Sequence, residues 1–256
     1  MPPESRIATD FPSRTLPLEG NLFAELSAST PMEDVGKGRR GAVLAKVDAA
    51  GRVPLVRTTS RYSNAAQHFR AVHGRLAQTI REYAALPVDF NNALIERYTN
   101  AYTTMGSHSD QALDLAEDSF IAVFSCYENP DAGPPRKLVV ESKTSGTERF
   151  EIPLTHHSVV TFSVDANRHF KHKIVLDKPV PAEDNPWLGV TFRTSKTLLR
   201  FREAVAHLPD GRRLTTADDE QAREFYRLRR RENNETDFVY PTLTYTISES
   251  DLMPPA

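Results

Sequence analysis

Residues 91–201 consist of short segments rich in β-branched and aromatic residues, separated by turn sequences. The segments read NALIERYT, DSFIAVFSCY, KLVVESK, ERFEIPL, SVVTFSV, KHKIVL and GVTFRTSKTLLRF, with ENPDAGPP and KTSGTE as strong turns between them. Seven or eight strands at this spacing, with only one clear helix before them, predict a mainly β sandwich or barrel rather than a parallel α/β sheet.

Helical patterns lie on both sides of this β region. The clearest covers 65–85, with Asn64 as the expected N-cap and Pro87 after its end. Its buried stripe is predicted to be Phe69, Val72, Leu76, Ile80 and Tyr83. A short helix in GNLFAELSA would place Leu22, Phe23 and Leu26 on one side. Another helix begins near Thr216, with acidic residues in its first turn and arginines in its last.

The composition is that of an ordinary globular protein, with 39% hydrophobic and 26% charged residues among 256. We expect one domain with terminal additions. These parts are an N-terminal extension (1–36), a β core with a lid segment and supporting helix (37–201), and a C-terminal helix and tail packed on the core (202–256).

Several features bear on compartment and partners. The longest apolar run, FIAVFSCY, is much shorter than a membrane span, and the N-terminus lacks the pattern of a secretory signal. Cys126 is the single cysteine, so an internal disulfide cannot form and we expect a cytoplasmic protein without a membrane partner. The net charge of −2 gives no overall attraction to nucleic acid, although a local basic patch could still bind it. The sequence indicates no oligomeric state.

Basic residues cluster in two places. The first cluster comprises Lys37, Arg39, Arg40, Lys46, Arg52, Arg57 and Arg61, and the second is RLRRREN at the end of the C-terminal helix. Runs of this kind usually face solvent, so we expect solvated surfaces at both. The alternatives are a nucleic-acid contact at 37–61 and an anion site at RLRRREN.

His108 and Asp110, within GSHSDQALDL, form an H-x-D triplet. If this stretch is extended, side chains two residues apart point the same way and can reach one metal ion. Two histidines and one carboxylate on one octahedral face suit iron and leave three positions open. By itself the triplet is more often part of a polar surface turn, so the metal hypothesis requires a second histidine on a neighbouring strand.

The candidates for this second histidine are His156, His157, His169 and His172. The first two precede a strand, where they could be ordinary exposed turn residues. His172 begins KHKIVL, and if Ile174 shares its inward face, His172 points into the barrel while the flanking lysines point outward. His169 would then fall on the opposite face. We therefore predict His172 as the third ligand.

Arg193 follows His172 by 21 residues, in GVTFRTSK, one strand further along. An inward arginine beside such a metal presents a planar fork of donors suited to a carboxylate. A salt bridge at the end of the barrel is the alternative for this residue.

This order of motifs resembles that of the Fe(II)/2-oxoglutarate-dependent dioxygenases, and the sequence segments around the motifs resemble those of their AlkB-like branch. NALIERYTNAYTTMGSHSD is similar to the branch's L-I-N-R-Y and H-x-D strand pair, NRHFKHKIV to its S-R-x-x-x-H-x-I stretch, and VTFR to its closing L-T-F-R. The helix at 65–85 lies where the family has one, so the resemblance covers roughly 52–200.

The resemblance implies a double-stranded β-helix, a jelly-roll barrel of two sheets, with supporting helices on its N- and C-terminal sides. It implies that Arg193 binds the distal carboxylate of 2-oxoglutarate, the cosubstrate used with O2, and that Tyr98 helps to bind it. Arg168 matches an arginine near the iron site. The implied Fe(II) ligands are His108, Asp110 and His172.

The sequence departs from the family pattern at the cosubstrate. Glu96 stands where the family's N-x-Y motif has asparagine, and Trp187 replaces a second arginine six residues before Arg193. These departures leave the cosubstrate held mainly by Arg193 and Tyr98.

Gln111 and Ala112 depart from the pattern at the substrate, because nucleic-acid-repair members commonly carry acidic residues after H-x-D that help to read the damaged base. We therefore expect hydroxylation of an unactivated or nitrogen-adjacent C–H bond in a small-molecule or amino-acid-like substrate, with succinate and CO2 as coproducts. The alternative is oxidative demethylation of alkylated nucleic acid, supported by the basic segment 37–61, where the branch places its substrate lid. A non-catalytic jelly-roll binding protein is a third possibility.

Overall fold

The computed structural model describes residues 9–132, 135–144, 149–177 and 183–256. In chain order, strands β1–β16 are Ser13–Thr15, Glu33–Gly36, Arg39–Ala45, Val53–Leu55, Gln67–His68, Asn92–Tyr98, Phe120–Tyr127, Arg136–Ser142, Arg149–Leu154, Ser158–Ser163, Phe170–Val175, Trp187–Arg193, Thr197–Arg202, Val205–His207, Thr215–Thr216 and Tyr245–Thr246. Helices α1–α4 are Leu22–Ser29, Ala71–Tyr83, Val164–His169 and Asp219–Glu232, and short 3-10 helices cover Ala112–Asp114 and Glu249–Leu252.

Two sheets form the barrel. The major sheet has the order β1-β10-β7-β12-β6-β3-β2, with β5 added beside β3, and the minor sheet has the order β11-β8-β9. One apolar cluster combines inward residues of both sheets, including Val123 and Trp187 from the major sheet and Val140 and Ile174 from the minor sheet. The fold is the expected mainly β double-stranded β-helix, in which side chains alternate between the barrel interior and the outer faces.

The strand register places the inward residues of β6 and β12 in rows. Arg193 pairs with Asn92 at one end of β12, and Trp187 pairs with Tyr98 at the other. Because antiparallel partners share a face and faces alternate along a strand, Arg193 and Trp187 lie on the same inner face. Glu96 lies on this face between the two ends.

Helices α1 and α2 cover the outer face of the major sheet, and Phe23, Leu26, Leu76 and Ile80 are buried there as predicted. Helix α2 begins at Ala71 rather than near 65, and its N-cap is Arg70 instead of Asn64. The reason is that β5 pairs with β3 and holds the preceding residues extended.

Tyr83 is another departure from the predicted stripe, because it is 47% exposed at the last turn of α2. Among the described residues, no helix combines the length and apolar character that crossing a membrane requires.

The C-terminal segment packs on the barrel through α4, which carries a capping box formed by Asp218 and Gln221. Phe225 and Leu228 of this helix join the tail residue Tyr245 in a separate apolar cluster. The helix starts after the predicted Thr216 because that residue pairs with β16. The predicted domain boundary at 36/37 falls inside the β2–β3 hairpin, and the one at 201/202 falls inside β13.

The expectation of a solvated surface over 37–61 is wrong for part of the segment. Arg57 is 3% exposed, and its Nε and terminal nitrogens donate to both oxygens of buried Asp114 and to two carbonyls of the tail. Arg39 forms an ion pair with Glu96, which is also buried. The residues that do face solvent include Lys37, Lys46 and Arg61.

Candidate metal centre

Strand β11 and the segment that follows β6 place His172 and His108 directly opposite each other. The two residues form an antiparallel bridge, in which His108 N donates to His172 O at 3.0 Å and His172 N donates to His108 O at 2.6 Å. Opposed residues of such a pair direct their side chains to one side. Lys171, Lys173 and Val175 are more exposed than their inward neighbours, which agrees with the predicted inward orientation of His172.

Asp110 completes a cluster with the two histidines. Its Oδ1 lies 3.8 Å from Nε2 of His108 and 3.5 Å from Nε2 of His172. One ligand atom from each residue lies within 4.8 Å of the others, so a single cation can contact all three. Two imidazoles and a carboxylate suit iron(II). The segment is not a regular strand beyond His108, so the alignment of Asp110 depends on other contacts.

The electrostatics around His108 favour the neutral imidazole that binds metal ions. Desolvation and the neighbouring His172 lower the pKa of His108, which therefore stays neutral. Nδ1 of His108 lies 2.9 Å from Gly106 O, an arrangement that orients Nε2 toward the cluster. His172 differs, because its Nδ1 is buried without a hydrogen-bond partner in the described part of the chain.

Asp110 is held by Asn167 and Arg193. Asp110 N donates to Asn167 Oδ1, and Asn167 Nδ2 donates back to Asp110 O, both at 2.7 Å. Arg193 Nε donates to Oδ2 of Asp110 at 2.7 Å. Burial alone would raise the pKa of this carboxyl, but Arg193 and the two histidines hold it well below its usual range. Asn167, in the NRH sequence before β11, was not among the predicted site residues.

A cavity of about 350 Å³ adjoins the cluster and is lined by all three candidate ligands and Arg193. Its wall also includes Arg39, Glu96, Tyr102, Gln111 and Arg229. The amide atoms of Gln111 are buried and have no hydrogen-bond partner among the described residues. The cavity therefore combines charged pairs with an unsatisfied amide beside the candidate metal ligands.

Tyr98 reaches this cavity only indirectly. It is fully buried, and its hydroxyl donates to Oε2 of Glu96 at 2.7 Å, while Arg39 Nε donates to Oε1 at 2.6 Å. Burial and the adjacent Glu96 raise the pKa of the Tyr98 phenol well above its usual range. The structure thus places the charged pair of Arg39 and Glu96 between Tyr98 and the cavity.

Arg168 does not line the cavity beside the candidate metal ligands. Its side chain is 40% exposed and lies 4.0 Å from Glu117 in a weak ion pair. It lines a second cavity, of about 390 Å³, between the barrel and the C-terminal tail.

Sequence reasoning also missed two residues of α4. Arg229 and Glu232, in the RLRRREN run, are 7% and 6% exposed, so the expected solvated helix end is wrong for them. With Phe225 and Leu228 they follow the i, i+3, i+4, i+7 spacing of a buried face, and this periodicity was the available signal.

Comparison with known families supplies the assignment of the chain. A model of the 2OG-Fe(II) oxygenase superfamily matches residues 23–201, which include the three candidate metal ligands and Arg193. The chain belongs to this superfamily. It is accordingly a 2-oxoglutarate-dependent non-haem iron oxygenase, with Fe(II), 2-oxoglutarate and O2 as the family's cofactor and cosubstrates. Because the chain belongs to a superfamily of oxygenases, the third possibility, a non-catalytic binding protein, is not supported.

Solved structures similar to this chain include two oxygenases at low sequence identity. A Pseudomonas putida prolyl-4-hydroxylase is 15% identical, with a TM-score of 0.41, over 74% of this chain and 96% of that one. OsALKBH1 is 16% identical, with a TM-score of 0.42, over 63% of this chain and 81% of that one. No protein of curated function matches the sequence.

Proposed function

We propose that this oxygenase hydroxylates an unactivated or nitrogen-adjacent C–H bond of a small-molecule or amino-acid-like substrate. The observation that carries the proposal is the cavity of about 350 Å³ beside the triad, with Arg39 and Glu96 in its wall. Cavities of a few hundred Å³ with a few convergent polar groups suit small ligands. An amino-acid-like molecule carries both a carboxylate and an ammonium group, so it suits a cavity whose wall contains charges of both signs.

In this proposal, Nε2 of His108, Oδ1 of Asp110 and Nε2 of His172 hold iron(II). Arg193 is the group that binds a carboxylate of 2-oxoglutarate, because its terminal nitrogens form no hydrogen bond with a described residue and it lines the cavity. When bound, iron(II), 2-oxoglutarate and O2 supply the oxidising chemistry, and succinate and CO2 are the coproducts. The role of Tyr98 is to hold Glu96 in place by its hydrogen bond.

The nucleic-acid alternative is less well supported. It relied on the basic segment 37–61, but Arg57 and Arg39 are engaged by the buried carboxylates of Asp114 and Glu96. These side chains are therefore not available to neutralise phosphates. Gln111, whose side chain is uncharged, follows the metal ligand Asp110 in place of an acidic base-reading residue.

Succinate formation and formaldehyde release test the proposal. The purified protein, supplied with Fe(II) and 2-oxoglutarate, is offered free amino acids, N-methylated amino acids and methylated oligonucleotides. We expect substrate-dependent succinate with members of the first two groups, and none with Asp110→Ala. Turnover confined to methylated oligonucleotides, with binding that weakens as salt rises, would show that the nucleic-acid alternative is correct.

A further inference from the structure

The last turn of α4 contacts the backbone beside the metal ligand Asp110. Oδ1 of Asn233 accepts hydrogen bonds from Ser109 N at 3.0 Å and from Ser109 Oγ at 3.2 Å. Arg229 donates from a terminal nitrogen to Ser109 O. Ser109, the residue between the two ligands of the H-x-D triplet, therefore has its amide and hydroxyl bound by Asn233, the C-cap of α4, and its carbonyl bound by Arg229.

Glu232 binds the backbone on the C-terminal side of Asp110. Its Oε1 accepts a hydrogen bond from Ala112 N at 2.8 Å. Its Oε2 accepts from Arg229 at 2.5 Å and from the Tyr240 hydroxyl at 2.6 Å. A buried carboxylate with partners on both oxygens is held in one orientation, because losing any of them would leave a polar group unsatisfied.

These contacts matter because residues 109–111 have no strand partner that would fix their conformation. Buried backbone donors need partners, and here those partners are side chains. Asn167 binds Asp110 from α3, Asn233 at the end of α4 binds Ser109, and Glu232 of α4 binds Ala112. The helix (Asp219–Glu232) lies outside the region that the superfamily model matches, 23–201, so membership of the superfamily does not by itself account for these contacts.

We propose that Arg229, Glu232 and Asn233 are positioning residues of the metal centre, which fix the backbone of residues 109–112 and thereby the spacing of the ligand atoms. The C-terminal segment then completes the site rather than only covering the barrel. This inference concerns the metal centre and is independent of the substrate class proposed above.

Replacement of Asn233 tests this inference, with Mn²⁺ affinity of the full chain, measured by calorimetry, as the readout. Asn233→Leu removes the acceptor for Ser109 at similar volume, and Asn233→Asp retains it. We expect Asn233→Leu to weaken Mn²⁺ binding roughly 10- to 100-fold, the usual effect of losing a group that supports a metal ligand, and Asn233→Asp to stay within about threefold of wild type. Amide hydrogen exchange at Ser109 should accelerate in Asn233→Leu only.

Arg230→Ala is the matched control, because Arg230 is exposed on the same helical turn. It should bind Mn²⁺ like wild type. If Asn233→Leu does not fold, Asn233→Ser, whose hydroxyl is too short to reach Ser109, replaces it with the same expected loss. A folded Asn233→Leu or Asn233→Ser with wild-type Mn²⁺ affinity would overturn the inference, and so would an equal loss in Arg230→Ala. A wild-type protein that binds Mn²⁺ but oxidises no small molecule would contradict only the proposed function.

Discussion

Arg193 donates a hydrogen bond from Nε to Oδ2 of Asp110 over 2.7 Å, so the two carboxylate oxygens have different partners. With Oδ2 engaged by the guanidinium, Oδ1 faces the Nε2 atoms of His108 and His172. The same charge keeps Asp110 ionised although the carboxyl is buried. Arg193 thus orients a candidate metal ligand while its terminal nitrogens form no hydrogen bond with a described residue.

Arg193→Met should impair 2-oxoglutarate binding, because the variant lacks the terminal nitrogens that would pair with a carboxylate. Removing one partner of a buried charge-assisted contact costs about 2 kcal/mol or more, so the Kd for 2-oxoglutarate should rise about 30-fold or more in the Mn²⁺-loaded protein. Calorimetric titration checks this expectation, with Arg61→Met as a control at an exposed position. An unchanged Kd for 2-oxoglutarate would remove Arg193 from the cosubstrate site.

The inward orientation of His172 could be predicted from sequence because it lies on a strand with clear alternation, whereas His108, Asp110 and Arg193 were indicated by the spacing and order of their motifs. The alternation of KHKIVL predicts which of its residues face inward, and buried and partly exposed residues alternate along β11 in the structure. Charged residues that pair across long sequence distances give no such signal. Arg57 and Asp114 are 57 residues apart, and in the sequence Arg57 is indistinguishable from its exposed neighbours.

Arg57→Met tests how much the buried ion pair of Arg57 and Asp114 contributes to the free energy of unfolding. Asp114 is fully buried and accepts hydrogen bonds from Arg57 and the Thr197 hydroxyl, so removing the guanidinium leaves an uncompensated carboxylate. We expect the free energy of unfolding, measured by urea denaturation, to fall by about 3–5 kcal/mol. The double variant Arg57→Met/Asp114→Leu should recover part of that loss. A double variant as unstable as the sum of the two single variants would rule out coupling between them.

The residues at which helices begin also could not be predicted from the sequence. The periodic pattern over 65–85 predicts the buried positions of α2 but not its start, because the pairing of β5 with β3 is a tertiary contact. In α4 the periodic pattern was informative, yet it included Arg229 and Glu232, whose charges suggested solvent. Their burial is possible only because Ser109, Ala112 and each other supply partners.

Gln111→Met should raise stability and lower turnover. The buried amide of Gln111 has no partner in the described part of the chain, and an unsatisfied buried polar group costs about 1–3 kcal/mol. An apolar side chain of similar size removes this cost, so the free energy of unfolding should increase by about 1 kcal/mol or more. If the amide is reserved for the substrate, kcat/KM should fall at least tenfold. Higher stability with unchanged kcat/KM would show that Gln111 does not contact the substrate.

His73 should make stability depend on pH between about 6.5 and 4. The ring is buried, accepts a hydrogen bond from Arg70 N at 3.0 Å on Nδ1, and lies 2.9 Å from the Ser29 hydroxyl on Nε2. Burial, and secondarily Arg70, lower its pKa from 6.5 to about 4. Because the unfolded chain takes up the proton first, the stabilisation is complete above about pH 6.5 and is lost as pH falls toward 4.

A shift of this size corresponds to roughly 3 kcal/mol. His73→Gln removes the titrating group, so between pH 7 and pH 4.5 wild type should lose about 2–3 kcal/mol more of its unfolding free energy than the variant. Urea denaturation at the two pH values measures the difference. His108, His156 and His157 also have lowered pKa values, but they are present in both proteins and cancel in the comparison. Parallel pH profiles for wild type and His73→Gln would mean that His73 is protonated equally in the folded and unfolded chains.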